Sequence, residues 1–122
     1  MEFMNNICKV ASQMYRNTAK KADKCMRETK LKMKMNANKA DIEEKYKEMG
    51  EAIYRIHISK EEDKSKEEIE ITCNEIDEIS KEIEEANEEL LKIKNKKQCT
   101  NCHEEIDRNA KYCPECGTNQ NQ

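Results

Sequence analysis

Four of the seven cysteines stand in two Cys-x2-Cys pairs, Cys99 with Cys102 and Cys113 with Cys116, separated by ten residues. Residue type and spacing together dictate one chemistry. Two intervening residues allow a tight turn that aims both sulfurs of a pair at one ion, and two such turns close a tetrahedron of thiolates. Cys99, Cys102, Cys113 and Cys116 are therefore the predicted metal ligands, with Zn2+ the default occupant; iron is the alternative for four thiolates. Backbone N–H groups after the first cysteine of each turn should point at its sulfur and spread the thiolate charge. Gly117 suits the left-handed backbone that such a turn often needs, and His103 holds the matching place after Cys102, a conformation it tolerates better than a branched residue. His103 is not needed as a fifth ligand, since four thiolates already fill the shell. Only Ile106, Ala110 and Tyr112 are apolar between the pairs, a core too small to fold without the metal.

The elements that must carry this site are helical. At 35% hydrophobic and 40% charged residues, the 122-residue chain cannot build one large globular core. Two Gly and one Pro in the whole length favour long uninterrupted helices. Ile69, Ile76, Ile83 and Leu90 form one heptad position, and Thr72, Ile79, Ala86 and Ile93 the other, a four-heptad coiled-coil seam. Glu68, Glu75, Glu82 and Glu89 flank it, where long charged side chains cover the seam and choose partners. Upstream, Met35, Ile42, Tyr46, Met49, Ile53 and Ile56 repeat at the same kind of spacing. Ser65 followed by Glu68 reads as a capping box that starts the second helix, after a polar turn near 59–65. The two seams then fold into an antiparallel hairpin pairing Ile56 with Ile69, Met49 with Ile76, Ile42 with Ile83 and Met35 with Leu90. Lys39 would face Ala86. Gly50 interrupts the first arm, marking either close approach of another helix or a tolerated cost of about 1 kcal/mol.

Three segments follow: 1–30, a basic amphipathic helical segment; 31–98, the hairpin; and 99–122, the metal module. Residues 1–40 hold ten basic and three acidic residues, residues 41–98 eleven and nineteen, and residues 99–122 two and four, giving +7, −8 and −2. Phe3, Ile7, Val10 and Met14 make one apolar stripe on the first segment. It offers three docking partners: the rest of this chain or a second copy, nucleic-acid phosphates reached through residues 1–40, or an anionic membrane surface. Self-association through the Ile69–Ile93 seam is a further alternative. No apolar run is long enough to span a membrane, and the N-terminal stretch lacks the apolar centre of a signal peptide, so a cytoplasmic location is expected. Cys8, Cys25 and Cys73 have no framework spacing and read as small, buried or half-buried helix residues. His57, near the turn, reads as solvated.

Residues 99–117, read as C-x2-C-x2-E-I-x3-A-K-Y-C-P-E-C-G, resemble the short zinc-ribbon module found at the ends of bacterial proteins. The resemblance implies a small C-terminal β-type ribbon with the same four cysteines binding zinc; His103 departs from the glycine usual there. Body and ribbon together are similar to small uncharacterised bacterial zinc-ribbon proteins, which brings no activity with it. The expected fold class is mostly α, a long antiparallel helical hairpin with an amphipathic N-terminal helix and a zinc ribbon. No catalytic constellation is visible, so the expectation is a non-enzymatic interaction or scaffold protein that contacts a protein partner, with nucleic-acid association the alternative.

Overall fold

The structure is a computed structural model describing residues 2–59 and 62–121. Four elements follow in order: α1 (Glu2–Ser59), α2 (Glu62–Lys94), β1 (Lys96–Gln98) and β2 (Glu105–Asp107). The chain divides into two units, Met1–Lys30 and Leu31–Gln122. In the first, residues 2–30 are helical throughout, and every side chain but the half-buried Glu28 is exposed. Cys8 and Cys25 are among the exposed ones, correcting the expectation that they would be sheltered; Cys73, in the second unit, is half-buried as expected. Among the described residues no helix is long and apolar enough to cross a membrane.

In the second unit, residues 31–59 of α1 pack antiparallel against α2. Three polar links tie the arms: Arg55 to Glu68 at 2.9 Å, Lys45 to Glu75 at 2.8 Å, and Asn38 Nδ2 to Glu82 Oε2 at 3.3 Å. Their acidic members are three of the four flanking glutamates, which do choose partners across the seam. The ammonium of Lys45 has a raised pKa, chiefly through its hydrogen bond to Glu75.

These links fix a register other than the one expected. On the first arm of the hairpin, residues 31–59, the sheltered residues are Leu31, Met35, Asn38, Ile42, Lys45, Met49, Ala52 and Ile56, recurring every three or four positions. Lys45 and Ala52 thus occupy the places predicted for Tyr46 and Ile53, which are 59% and 56% exposed. The residue numbers of the three cross-arm links add to 123, 120 and 120, against 125 for the expected pairing. Met35 is half-buried and Lys39 exposed, so Lys39 does not lie in the seam opposite Ala86 as expected.

The start of α2 also differs from the expected one. The helix begins at Glu62, not at Ser65, and Ser65 is only 3% exposed inside it. Glu62 and Asp63 place acidic charge in the first turn, where the helix dipole favours it. Residues 60–61 of the expected turn near 59–65 lie outside the described residues. Ala52 and Ala86, at 2% and 4% exposure, are small enough for close approach of the arms at those points. The Gly50 Cβ position meets no atom within 4 Å, so this glycine is tolerated in open space and serves no close packing within the chain. His57 is exposed, its ring 6.2 Å from that of Tyr54.

After Lys94, Asn95 adopts a left-handed φ of 56° and its N–H bonds back to Lys92 O at 3.1 Å, closing α2 in the manner of a C-terminal cap. The chain then runs directly into β1, which pairs antiparallel with β2: Lys96 with Asp107, Lys97 with Ile106, and Gln98 with Glu105. Lys94 reaches Glu105 at 3.3 Å, and Lys97 Nζ donates to Ala110 O at 2.8 Å, fastening the end of α2 to the module.

Candidate metal centre

The β1–β2 hairpin brings Cys99, just after β1, and Cys102, in the turn toward β2, to one side of Ile106. The second pair follows β2, and a single bridge between Tyr112 and Asn119 closes its loop. Cys99, Ile106 and Cys113 form the core of the module at 1%, 3% and 2% exposure, with Cys102 and Ala110 packed against them. Tyr112 lies outside at 63% exposure, correcting its assignment to that core. Its contribution is the backbone bridge.

All four predicted ligands meet. The Sγ atoms of Cys99, Cys102, Cys113 and Cys116 lie within 4.8 Å of one another; Cys99 and Cys116 are separated by 3.5 Å, Cys102 and Cys113 by 3.6 Å. A tetrahedral zinc with metal–sulfur bonds of about 2.3 Å would set its sulfurs about 3.8 Å apart, so the cluster has the dimensions of a zinc site. His103 is not part of it.

The two turns have the same internal wiring. Asn101 N–H points at Cys99 Sγ and Glu115 N–H at Cys113 Sγ, both at 3.4 Å. His103 N–H bonds to Cys99 O at 3.1 Å, and Gly117 N–H to Cys113 O at 2.9 Å. Both closing residues take the left-handed backbone, His103 at φ 62° and Gly117 at φ 76°. His103 therefore does in the first turn what Gly117 does in the second.

The electrostatics are uneven. The hydroxyl and backbone N–H of Thr118 bring the Cys116 thiol down to about 5, the hydroxyl lying 3.2 Å from the sulfur. At Cys99, burial pushes the thiol up, but the N–H groups of Cys102 and Asn101 and the Gln120 amide outweigh it and leave the value below the ordinary one. At Cys102 the Glu104 N–H pulls down, while burial and the thiols of Cys99, Cys113 and Cys116 push harder and raise it to about 12. Four crowded thiols cannot all ionise by themselves. A divalent cation removes the conflict, because it binds all four as thiolates.

Residues 98–119 match a family model described as a zinc-ribbon domain. The module is a zinc ribbon. Its four clustered cysteines, an all-sulfur donor set, fit Zn2+. Comparison with curated proteins and with solved structures finds no match to the chain.

One residue of the ribbon was not foreseen. Gln120 Oε1 accepts from Thr100 N–H at 3.1 Å, its Nε2 donates to Cys99 Sγ at 3.3 Å and to Thr118 O at 2.8 Å, and its own N–H bonds to Lys111 O at 2.8 Å. One amide therefore joins the first turn to the second and orients a ligand sulfur. No spacing rule marks such a residue in the sequence. Gln120→Ala is expected to lower zinc affinity by about 10- to 100-fold in competition with a chromophoric chelator, while the ribbon still folds at saturating zinc. Unchanged affinity would show that Gln120 does not tune the site.

Proposed function

We propose that this chain is a non-enzymatic zinc-binding interaction protein in which Cys99, Cys102, Cys113 and Cys116 hold a structural zinc and the helical body contacts a protein partner. Four thiolates fill a tetrahedral shell and leave no open position for a substrate or an activated water. The observation that carries the partner-binding reading is the set of large side chains the helical hairpin leaves outside. Tyr46, Ile53 and Tyr54 are 59%, 56% and 62% exposed; Tyr46 and Ile53 recur at heptad spacing on one line of the helix, and a contiguous apolar face of this kind suits a partner. The heptad spacing of both arms also suits coiled-coil pairing with another helix. The reading places the protein in the cytoplasm, where free thiols persist.

The test is capture from cell lysate on immobilised zinc-loaded protein, beside the variants Tyr46→Ala and Ile53→Asp, at two salt concentrations, with bound protein and nucleic acid both quantified. A discrete protein retained at both salts and lost with Ile53→Asp supports the reading. Capture indifferent to both substitutions would remove its basis. A second reading, nucleic-acid association, draws on the full exposure of the basic residues from Lys9 to Arg27. Nucleic acid bound steeply at low salt only would favour it.

A further inference from the structure

The first unit presents a surface that neither the ribbon nor the hairpin explains. On a helix of 3.6 residues per turn, Phe3, Met4, Ile7, Val10, Met14 and Tyr15 fall in one sector about 140° wide. All six are exposed, Phe3 at 76% and Tyr15 at 77%. Lys9, Arg16 and Lys20 lie on the opposite side. Between Glu2 and Asp23 every charged residue is basic: Lys9, Arg16, Lys20 and Lys21.

We propose that this segment is an interfacial amphipathic helix that binds an anionic lipid surface. The sector is wider than the two-position seam by which helices pair in a heptad register, and it has two aromatic rings and flexible methionines, side chains that suit the boundary between headgroups and acyl chains. The charge argues for lipid over a second copy of the segment. A second copy docked on the apolar sector would leave Lys9, Arg16 and Lys20 on the outer face without counter-charge, since the stretch holds no acid to pair them. An anionic surface supplies the missing counter-charge, at about 1 kcal/mol per basic residue near it. The proposal goes beyond the partner-binding reading, since it uses neither the exposed face of the hairpin nor the ribbon.

The chain contains no Trp, so Phe3→Trp in the full-length, zinc-loaded protein gives a single reporter. It is mixed with phosphatidylcholine vesicles, pure or containing phosphatidylglycerol, and followed by emission wavelength and co-sedimentation. The expected result is a blue shift and retention on the anionic vesicles that weaken with salt. Ile7→Asp or Val10→Asp in that background should reduce retention roughly tenfold or more, and Lys9→Gln with Arg16→Gln several-fold. These residues are exposed, so far-ultraviolet circular dichroism should be unchanged. No blue shift on anionic vesicles overturns the proposal, as does equal retention on neutral lipid or retention that survives Ile7→Asp. Self-association without vesicles that Ile7→Asp abolishes, together with no lipid binding, would assign the face to a second copy and overturn it too.

Discussion

Chelating the zinc is expected to unfold residues 96–120 while α1 and α2 remain helical. The apolar core of the ribbon amounts to Ile106 and Ala110 beside the cysteines themselves, and its only sheet is a pair of three-residue strands. Neither offsets the conformational entropy of ordering such a module, about 1–2 kcal/mol per residue for the backbone alone. Zinc binding to sites of this type contributes about 10–16 kcal/mol at neutral pH, so the metal decides whether the ribbon folds. Cys113→Ser should have the same consequence, because it removes a buried ligand and leaves a hydroxyl in its place. The readout is two-fold: amide dispersion of the ribbon in a proton–nitrogen correlation spectrum, and helical content by circular dichroism. Collapse of the first with retention of the second is the expected outcome. Dispersed ribbon signals in excess chelator would mean that the module stands without metal.

The second large effect separates two neighbouring residues of α1. Ala52→Glu should destabilise the helical hairpin by on the order of 3 kcal/mol, while Ile53→Glu should stay within about 0.5 kcal/mol. Ala52 is 2% exposed and lines one side of the hairpin with Glu68, Thr72 and Glu75. A glutamate there would add volume where the helices approach and set a third carboxylate beside Glu68 and Glu75. Ile53 is 56% exposed, and a charge at that position remains in water. Urea midpoints of the two variants decide between the registers. The heptad reading of the sequence predicts the reverse order, so a destabilised Ile53→Glu with an unaffected Ala52→Glu would restore the pairing of Met49 with Ile76.

Why that register was misread is instructive. On α2 the seam was legible, because Ile69, Ile76, Ile83 and Leu90 recur among charged neighbours and leave one choice of face. On α1 there are two faces to choose from, one through Lys45 and Ala52 and one through Tyr46 and Ile53. Hydrophobicity selects the second. The fold selects the first, where a small Ala and a Glu-paired Lys permit a close seam. The apparent capping box at Ser65 misplaces the start of α2, which lies at Glu62. The metal module was legible almost completely, down to the left-handed positions at His103 and Gly117, because coordination geometry acts over two residues at a time. Gln120 escaped because its role depends on a three-dimensional approach to Cys99 that no local pattern records. The exposed stripe from Phe3 to Met14 was legible as an amphipathic helix from its spacing alone.

The central claim is a zinc held by four cysteine sulfurs in a closed shell. X-ray absorption at the zinc edge of the purified full-length chain tests it most directly. The account predicts one zinc per chain and a shell of four sulfurs at about 2.3 Å with no light-atom scatterer. A mixed shell, with a nitrogen or oxygen at about 2.0–2.1 Å in place of a sulfur, would contradict it by bringing His103 or water into the site and opening the centre to chemistry that a four-thiolate shell forbids.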